Sequence, residues 1–142
     1  MIMIKKPFLV FSVALSDNDE NDFNHRLVAR RLREAGVEYQ EVVGCFAGVI
    51  EKSFIVLSTV KNRGLVEELC QEYEQECWLD VQKHGNVYLN KNACWDVNHV
   101  GRWEEAANLA DLANGPDGKS AWTLAGGTFY IVKTAKPSGA KE

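Results

Sequence analysis

The sequence has no apolar run that approaches the roughly 20 residues needed for a membrane-spanning helix. It also has no excess of positive charge: 16 Lys and Arg stand against 20 Asp and Glu, and the net charge is −4. A nucleic-acid-binding domain usually carries a basic face. The composition therefore argues against a membrane protein and against a nucleic-acid partner.

Several motifs that would define a chemistry are missing as well. The sequence has no Walker loop, no GxSxG, no HExxH and no kinase signature. Its three histidines are scattered, and no two of its four cysteines form a CxxC pair. We therefore expect no metal and no bound cofactor. The cysteines are interpreted as small, buried apolar side chains in a reducing compartment, namely Cys45, Cys70, Cys77 and Cys94.

The first residues, MIMIKKPFLVFSVALS, have two lysines before an apolar stretch, as a signal peptide does. The apolar residues alternate with polar ones, and no small-x-small cleavage site follows. We interpret this segment as a first strand over residues 7–15.

The pattern that follows alternates between helices and strands. Residues 23–35 have helical spacing and end at Gly36, and a second helix opens at Asn62. Strand patterns are found in residues 7–15, 39–49 and 53–60. A fourth strand region comprises residues 78–81 and 86–89, with a predicted hairpin at the turn over residues 83–86. This βαββαβ order predicts an α+β, ferredoxin-like fold, an antiparallel sheet with two helices on one face. We expect one domain over residues 1–132 and a disordered tail over 133–142.

Both faces of the predicted sheet are apolar, so helices on one face leave the other uncovered. The missing cover is the C-terminal third or another subunit. Trp95 and Trp103 lie in an irregular context, residues 104–112 have a helical pattern, and residues 121–132 predict a hairpin around Gly126 and Gly127. This third is interpreted as a C-terminal β extension of the sheet.

One carboxylate stands in an unusual context. In GCFAGVIEKSFIV, residues 44–56, Glu51 lies at the predicted junction of two strands with apolar residues on both sides. The plain alternative is a solvent-exposed turn residue. Acidic residues also crowd the predicted helix end in EYEQECW, residues 72–78, where they oppose the helix dipole. They indicate either a binding role or a solvated acidic face.

These segments together resemble a known family. The resemblance rests on Asn24-His25-Arg26, Gly44-Cys45-Phe46, the following Glu51 and residues 72–77, with looser similarity at residues 101–103 and 127–130. The chain is similar to the small phage-encoded S-adenosylmethionine lyases, formerly called S-adenosylmethionine hydrolases.

The resemblance implies a ferredoxin-like, PII-like homotrimer with active sites between subunits. It implies cleavage of S-adenosylmethionine to 5′-methylthioadenosine and L-homoserine lactone without a cofactor. It also implies action in the host bacterial cytoplasm as a phage counter-defence against methyl-dependent restriction. The essential glutamate of the family corresponds to Glu51, and Phe46 stands where the family has a tyrosine.

On this basis Glu51 is the predicted catalytic residue, and it holds the ammonium group of the substrate. Phe46 would exclude water and Gln75 would bind polar ends of the substrate, while Ser53 and Asn24 complete the predicted substrate-binding set. Two alternatives stay open. One is a non-catalytic, PII-like protein that binds S-adenosylmethionine or a nucleotide, and the other is an inhibitor that blocks a host enzyme with its acidic surface.

Overall fold

The fold is described from a computed structural model, in which residues 4–14, 19–46, 48–91, 97–113 and 121–133 are described. The strands are β1 (Phe8–Phe11), β2 (Tyr39–Phe46), β3 (Val49–Leu57), β4 (Cys77–Val81), β5 (Asn86–Lys91), β6 (Val97–Glu105), β7 (Trp122–Ala125) and β8 (Thr128–Lys133). The helices are α1 (Asn21–Glu34), α2 (Val60–Glu72) and α3 (Leu109–Ala113). No helix in these described ranges is long and apolar enough to cross a membrane.

The eight strands form a closed barrel in the order β1-β3-β2-β7-β8-β6-β5-β4, with every neighbouring pair antiparallel. The prediction of an open ferredoxin-like sheet with a C-terminal extension is therefore wrong. The chain order β1-α1-β2-β3-α2-β4 does occur, but β7 pairs with the free edge of β2 and β5 pairs with the free edge of β4. Closure removes both edges of the sheet, which is energetically favourable because an edge strand leaves backbone N–H and C=O groups unpaired.

The inner face of the barrel carries its own core. Side chains alternate between the two faces of a strand, so every second residue points inward. The buried inward residues are Phe8, Val10, Val42, Ile55, Val81, Val87, Trp103 and Ala125. The second face of the predicted sheet, for which the sequence predicts no covering helix, thus packs against residues from the later strands of the same chain. The uncovered sheet face no longer argues for a trimer.

A second core lies outside the barrel, where α1 and α2 cover the strands. It includes Leu9, Phe11, Phe54, Val56 and Trp78 from the sheet, and Val28, Leu32, Val66 and Leu69 from the helices. The predictions of the two helices are confirmed. The N-terminus of α2 is capped by Thr59, whose side chain accepts from the backbone N–H of Asn62 at 3.0 Å. Phe23 and Leu27, two of the apolar residues at helical spacing in residues 23–35, are exposed, because the buried face of α1 is centred on His25, Val28 and Leu32.

Three hairpin boundaries bear on the sequence interpretation. The predicted hairpins at β4–β5 and β7–β8 are confirmed. The β2–β3 turn, however, falls three residues earlier than predicted, because Gly48 adopts a positive φ of 82° and reverses the chain there. Glu51 therefore lies inside β3 and not at a junction. Trp103, predicted in an irregular segment, is buried within β6.

Candidate functional site

Glu51 lies where the inner face of β3 passes from the barrel core to solvent. Val49, Glu51, Ser53 and Ile55 share that face because they alternate along the strand. Val49 is 50% exposed, Glu51 is half-buried, and Ser53 and Ile55 are 5% and 2% exposed. The carboxylate thus stands at the edge of an apolar interior, in reach of solvent.

The partner of Glu51 on the neighbouring strand has no side chain. In the β2–β3 ladder, Gly44 is paired with Glu51 and Phe46 with Val49. We call these four residues the Glu51 rim. A Cβ at Gly44 would lie 3.2 Å from the Ser53 hydroxyl. The glycine therefore keeps open a small space beside the carboxylate, which a bulkier residue would fill.

The electrostatic surroundings of Glu51 favour a cationic ligand. Burial raises the pKa of its carboxyl above the usual value, and a side-chain hydrogen bond with Ser12 lowers that pKa by a smaller amount. Lys52 is directed to the other face and pairs with Asp22 at 2.9 Å. No ion pair reaches Glu51 from any residue that the structure describes. A bound cation would supply the missing compensation for burying this charge.

Ser12 joins Glu51 to two other parts of the chain. Its hydroxyl donates to the backbone oxygen of Lys52 at 2.9 Å and accepts from the N–H of Ala14 at 3.0 Å. The side-chain amide of Gln75 in turn donates to the oxygen of Ala14 at 2.6 Å. The end of β1, the start of β3 and the exit from α2 therefore meet beside the Glu51 carboxylate.

Gln75 reaches this position because of how α2 ends. The helix closes with a reversal in which Glu74 has a positive φ of 56°, and the N–H of Gln75 donates to Cys70 oxygen at 2.8 Å. The chain then enters β4 at Cys77, whose thiol also lies near Glu51. Burial raises the pKa of the Cys77 thiol, so it stays protonated at neutral pH.

A groove of about 390 Å³ adjoins Glu51 between α1 and the β2–β3 hairpin. Its lining residues are Ala14, Asn21, Asp22, His25, Val43, Ile50, Glu51 and Lys52. Nε2 of His25 is 2.8 Å from Oε1 of Glu41, and the imidazole stacks on Phe54 with ring centroids 4.1 Å apart. The hydrogen bond with Lys52 holds the pKa of Asp22 below its ordinary value.

The predicted site residues are distributed unevenly around Glu51. Ser53 lies on the same face of β3 as Glu51, one same-face residue pair closer to the barrel core. Phe46 lies on that face of β2, one pair closer to solvent, and is 61% exposed. Gln75 reaches the same region through Ala14. Asn24 lies in α1, which packs on the outer face of the sheet, and its backbone N–H donates to Glu20 oxygen at 2.8 Å. The structure therefore brings Ser53, Phe46 and Gln75 to the region of Glu51, whereas Asn24 is not among the residues that line the adjoining groove.

The sequence did not single out Ser12, and it named His25 only within the Asn24-His25-Arg26 segment of the resemblance. Ser12 follows the four apolar residues of β1 and was interpreted only as part of a strand. Its alternation with Phe8 and Val10 is the signal that would have placed it on the inner face. Within the described ranges, no group of three or more Asp, Glu, His or Cys side chains is arranged to hold a metal ion.

A half-buried carboxylate beside an open rim, with no ion pair to any residue that the structure describes, is an arrangement that could bind a small cationic molecule. The family of the chain follows from a comparison with protein-family models. The S-adenosylmethionine lyase family model matches residues 12–133, and the chain belongs to that family. The match confirms the resemblance found in the sequence, and it supports cleavage of S-adenosylmethionine as the general activity. A comparison with curated proteins gives no significant match.

Proposed function

We propose that this protein cleaves S-adenosylmethionine to 5′-methylthioadenosine and L-homoserine lactone. A carboxylate oxygen of the substrate attacks its own γ-carbon, and the bond from that carbon to the sulfonium sulfur breaks. The electron pair of that bond stays on sulfur, which leaves as a neutral thioether. Neither water nor a metal takes part in the bond changes, so the protein contributes orientation and environment.

The environment matters because charge disappears along the reaction path. A carboxylate and a sulfonium ion neutralise each other, and such a change is favoured where water is scarce. The apolar interior below Ser53 and the aromatic ring of Phe46 border the site on two sides. The protein also lowers the activation barrier by orientation. It holds the substrate in the conformation in which the attacking oxygen, the γ-carbon and the sulfur are in line.

Glu51 is the residue to which we assign the orientation of the substrate. The observation that carries the proposal is its half-buried carboxylate, whose pKa is raised by burial and which no described cation neutralises. The α-ammonium group of S-adenosylmethionine would provide that cation through a charge-assisted hydrogen bond. Holding the ammonium fixes the adjoining carboxylate of the substrate. Gln75 and Ser53 then supply hydrogen-bonding groups to either side.

The proposal includes a homotrimer with sites between subunits. The support is the exposed apolar surface at the Glu51 rim, where Phe46 and Val49 are 61% and 50% exposed. A second subunit placed over these residues would exclude water from the Glu51 rim. Light scattering at micromolar concentration checks this assembly, and a monomer mass would contradict it.

The biological role that we propose is depletion of the methyl donor in the host bacterial cytoplasm, as a phage counter-defence against restriction. The similarity of the sequence to phage-encoded lyases supports it. Expression in a bacterium should lower cellular S-adenosylmethionine and raise methylthioadenosine. Unchanged pools in cells that contain folded protein would contradict this role.

Phe46 favours one second candidate, a protein that binds S-adenosylmethionine without cleaving it. Phe46 has no hydroxyl where the family has a tyrosine, so one hydrogen bond to the substrate is lost. Under this candidate, intact ligand would be recovered from the protein after long incubation. The third interpretation, an inhibitor of a host enzyme, has no structural observation in its favour.

The products formed in ¹⁸O-labelled water test the proposed reaction. Intramolecular attack gives homoserine lactone whose ring oxygen comes from the substrate, without label at the γ-carbon. Attack by water would instead give homoserine with labelled oxygen on that carbon. Later hydrolysis of the lactone labels only the carboxyl group, so mass spectrometry of fragments separates the two routes.

A further inference from the structure

Ser12 lies beside Glu51 at the end of β1, and the proposed reaction assigns it no role. We propose that Ser12 is a positioning residue for Glu51, and that its hydroxyl holds the carboxylate in the ionised, oriented form that binds a cationic substrate. The proposal rests on the proposed function for its catalytic consequence. The link between the two side chains can be tested without any turnover.

The geometry fixes the serine oxygen beside β3, on the inner face that also carries Glu51. Ser12 is only 6% exposed, and its oxygen accepts from the N–H of Ala14 at 3.0 Å. Its hydroxyl also donates to Lys52 oxygen at 2.9 Å, the residue next to Glu51 in β3. A hydroxyl that accepts one hydrogen bond is a better donor in the next, because the bonds polarise each other.

Ser12 has one proton and two acceptors for it. A serine hydroxyl rotates to suit its partners, so the proton can be donated to Lys52 oxygen or to the Glu51 carboxylate. When Glu51 is ionised, donation to the carboxylate stabilises the charge. When Glu51 is protonated, its own proton can be donated to the serine oxygen, while the serine proton returns to Lys52 oxygen. The hydroxyl thus adapts to both states of the carboxyl without movement of the backbone.

The surroundings of Glu51 make this hydrogen bond important. The described titratable groups near it are Cys77 from β4, and Asp22, His25 and Lys52 along the adjoining groove. Lys52 and Asp22 are engaged with each other. Burial raises the pKa of the Glu51 carboxyl, and the hydrogen bond with Ser12 lowers it. Among the described groups, Ser12 at the end of β1 therefore opposes the effect of burial on that pKa.

The test is the titration of Glu51 followed by ¹³C NMR of the side-chain carboxyl, assigned by comparison with Glu51→Gln. We expect Ser12→Ala to raise the pKa of Glu51 above that of the native protein. We expect Ser12→Thr, which keeps a hydroxyl, to restore the native titration. Cysteine is close to serine in size, and its thiol is a weak hydrogen-bond donor. Ser12→Cys should therefore give a Glu51 pKa between those of the native protein and Ser12→Ala, and it replaces the alanine variant in the test if that variant does not fold.

Ser58→Ala is the matched control. Ser58 is bonded to Asp80 at 3.5 Å, and its backbone N–H donates to Pro7 oxygen at 3.0 Å, so it lies at the opposite end of β1. Its removal should leave the titration of Glu51 unchanged. If Ser12→Ala and Ser12→Cys both titrate like the native protein at Glu51, the proposal is overturned.

The rate of methylthioadenosine release adds the functional consequence. The acidic limb of kcat/KM against pH should move to higher pH in Ser12→Ala, in parallel with the titration, so that kcat/KM falls most at the acidic pH values on that limb. A purely structural role would lower the rate equally at all pH values and leave the limb in place. If Glu51→Gln retains full turnover while Ser12→Ala still shifts the Glu51 titration, the proposed function fails and the Ser12–Glu51 link stands.

Discussion

Gly44 lies directly opposite Glu51 in the β2–β3 ladder, and a Cβ at position 44 would come within 3.2 Å of the Ser53 hydroxyl. The space beside the carboxylate is therefore defined by an absent side chain. Because the two residues share the inner face at the rim, any group added at Gly44 enters the proposed substrate position.

Gly44→Ala tests that space. The serine hydroxyl can shift by a few tenths of an ångström, so we expect the protein to fold with a stability loss of about 1 kcal/mol. The methyl group should lower kcat/KM by about tenfold or more, because a small misplacement of the substrate lowers the rate strongly. Steady-state kinetics and a melting curve measure both effects.

Gly64→Ala is the control for that substitution. Gly64 lies in α2 with open space around its Cβ position, so alanine should stabilise the helix by about 0.5–1 kcal/mol and leave the kinetics unchanged. Native kinetics in Gly44→Ala would show that the substrate does not occupy the space beside Glu51.

The stability of the native protein relative to that of Glu51→Gln should depend on pH, in a direction that the burial of the carboxyl determines. The pKa of Glu51 is raised in the folded state from an ordinary value of 4.5, so the group favours folding at low pH. That contribution is fully present below the unfolded pKa and is lost as pH rises through the folded pKa. Glutamine does not titrate and keeps the shape of the side chain.

We therefore expect Glu51→Gln to melt at or above the native Tm at neutral pH. The difference between the two melting temperatures should shrink as the pH is lowered toward 4.5, the ordinary glutamate value. Calorimetry at several pH values measures it. A variant clearly less stable than the native protein at neutral pH would show that the carboxylate is neutralised by a cation in the free protein.

Closure of the barrel is tested at Gly101. Its φ is 152°, and a Cβ there would overlap the backbone carbonyl of Lys133 in β8. We expect Gly101→Ala to destabilise the protein by about 3 kcal/mol, because strain and overlap both act on the β6–β8 pairing. Chemical denaturation against Gly64→Ala measures this. An unchanged midpoint would contradict the pairing of these strands.

The fold could be predicted from the sequence only as far as neighbouring elements determine it. The helices and the tight hairpins follow from periodicity and glycine turns, which are local properties. Closure depends on pairs such as Gly44 with Thr123, which are far apart in the sequence and leave no periodic signal. The sequence correctly predicts that both faces of the sheet are apolar. It does not indicate whether the second face is buried by another subunit or by the same chain.

β6 was missed for a similar reason. Asn98, His99, Gly101 and Arg102 have low strand propensity or positive charge, so the segment looks irregular. The barrel stabilises it through pairing with β5 and β8 and through burial of Trp103, which stacks on Tyr130 at 5.5 Å. Tertiary contacts outweigh local preference here.

The position of Glu51 shows how the site depends on one boundary. The resemblance and the apolar neighbours identified the residue, but the turn was placed after Val49 and not at Gly48. Moving the turn changes an exposed junction into a strand position whose side chain faces the barrel. Ser12 belongs to the site only through contacts across the sheet, which a single sequence does not reveal.

Phe46→Tyr tests the departure from the family pattern. Phe46 is exposed on the same face as Glu51, so a hydroxyl added there meets no core and should leave Tm unchanged. If the tyrosine donates to the substrate, a net hydrogen bond of about 1 kcal/mol should raise kcat/KM roughly fivefold. Val49→Thr, which adds a hydroxyl to the paired residue, is the comparison. Equal or lower kcat/KM in Phe46→Tyr would show that position 46 does not reach the substrate.

The central claim is that Glu51 orients a cationic substrate, and methylthioadenosine release by Glu51→Gln measures it most directly. Loss of a charge-assisted hydrogen bond of about 1.5–3 kcal/mol, together with lost orientation, predicts turnover at least about 100-fold below that of the native protein. The native melting transition, measured on the same sample, shows that the fold is retained. Turnover equal to that of the native protein, in a variant of native stability, would contradict the assignment of Glu51 to the active site.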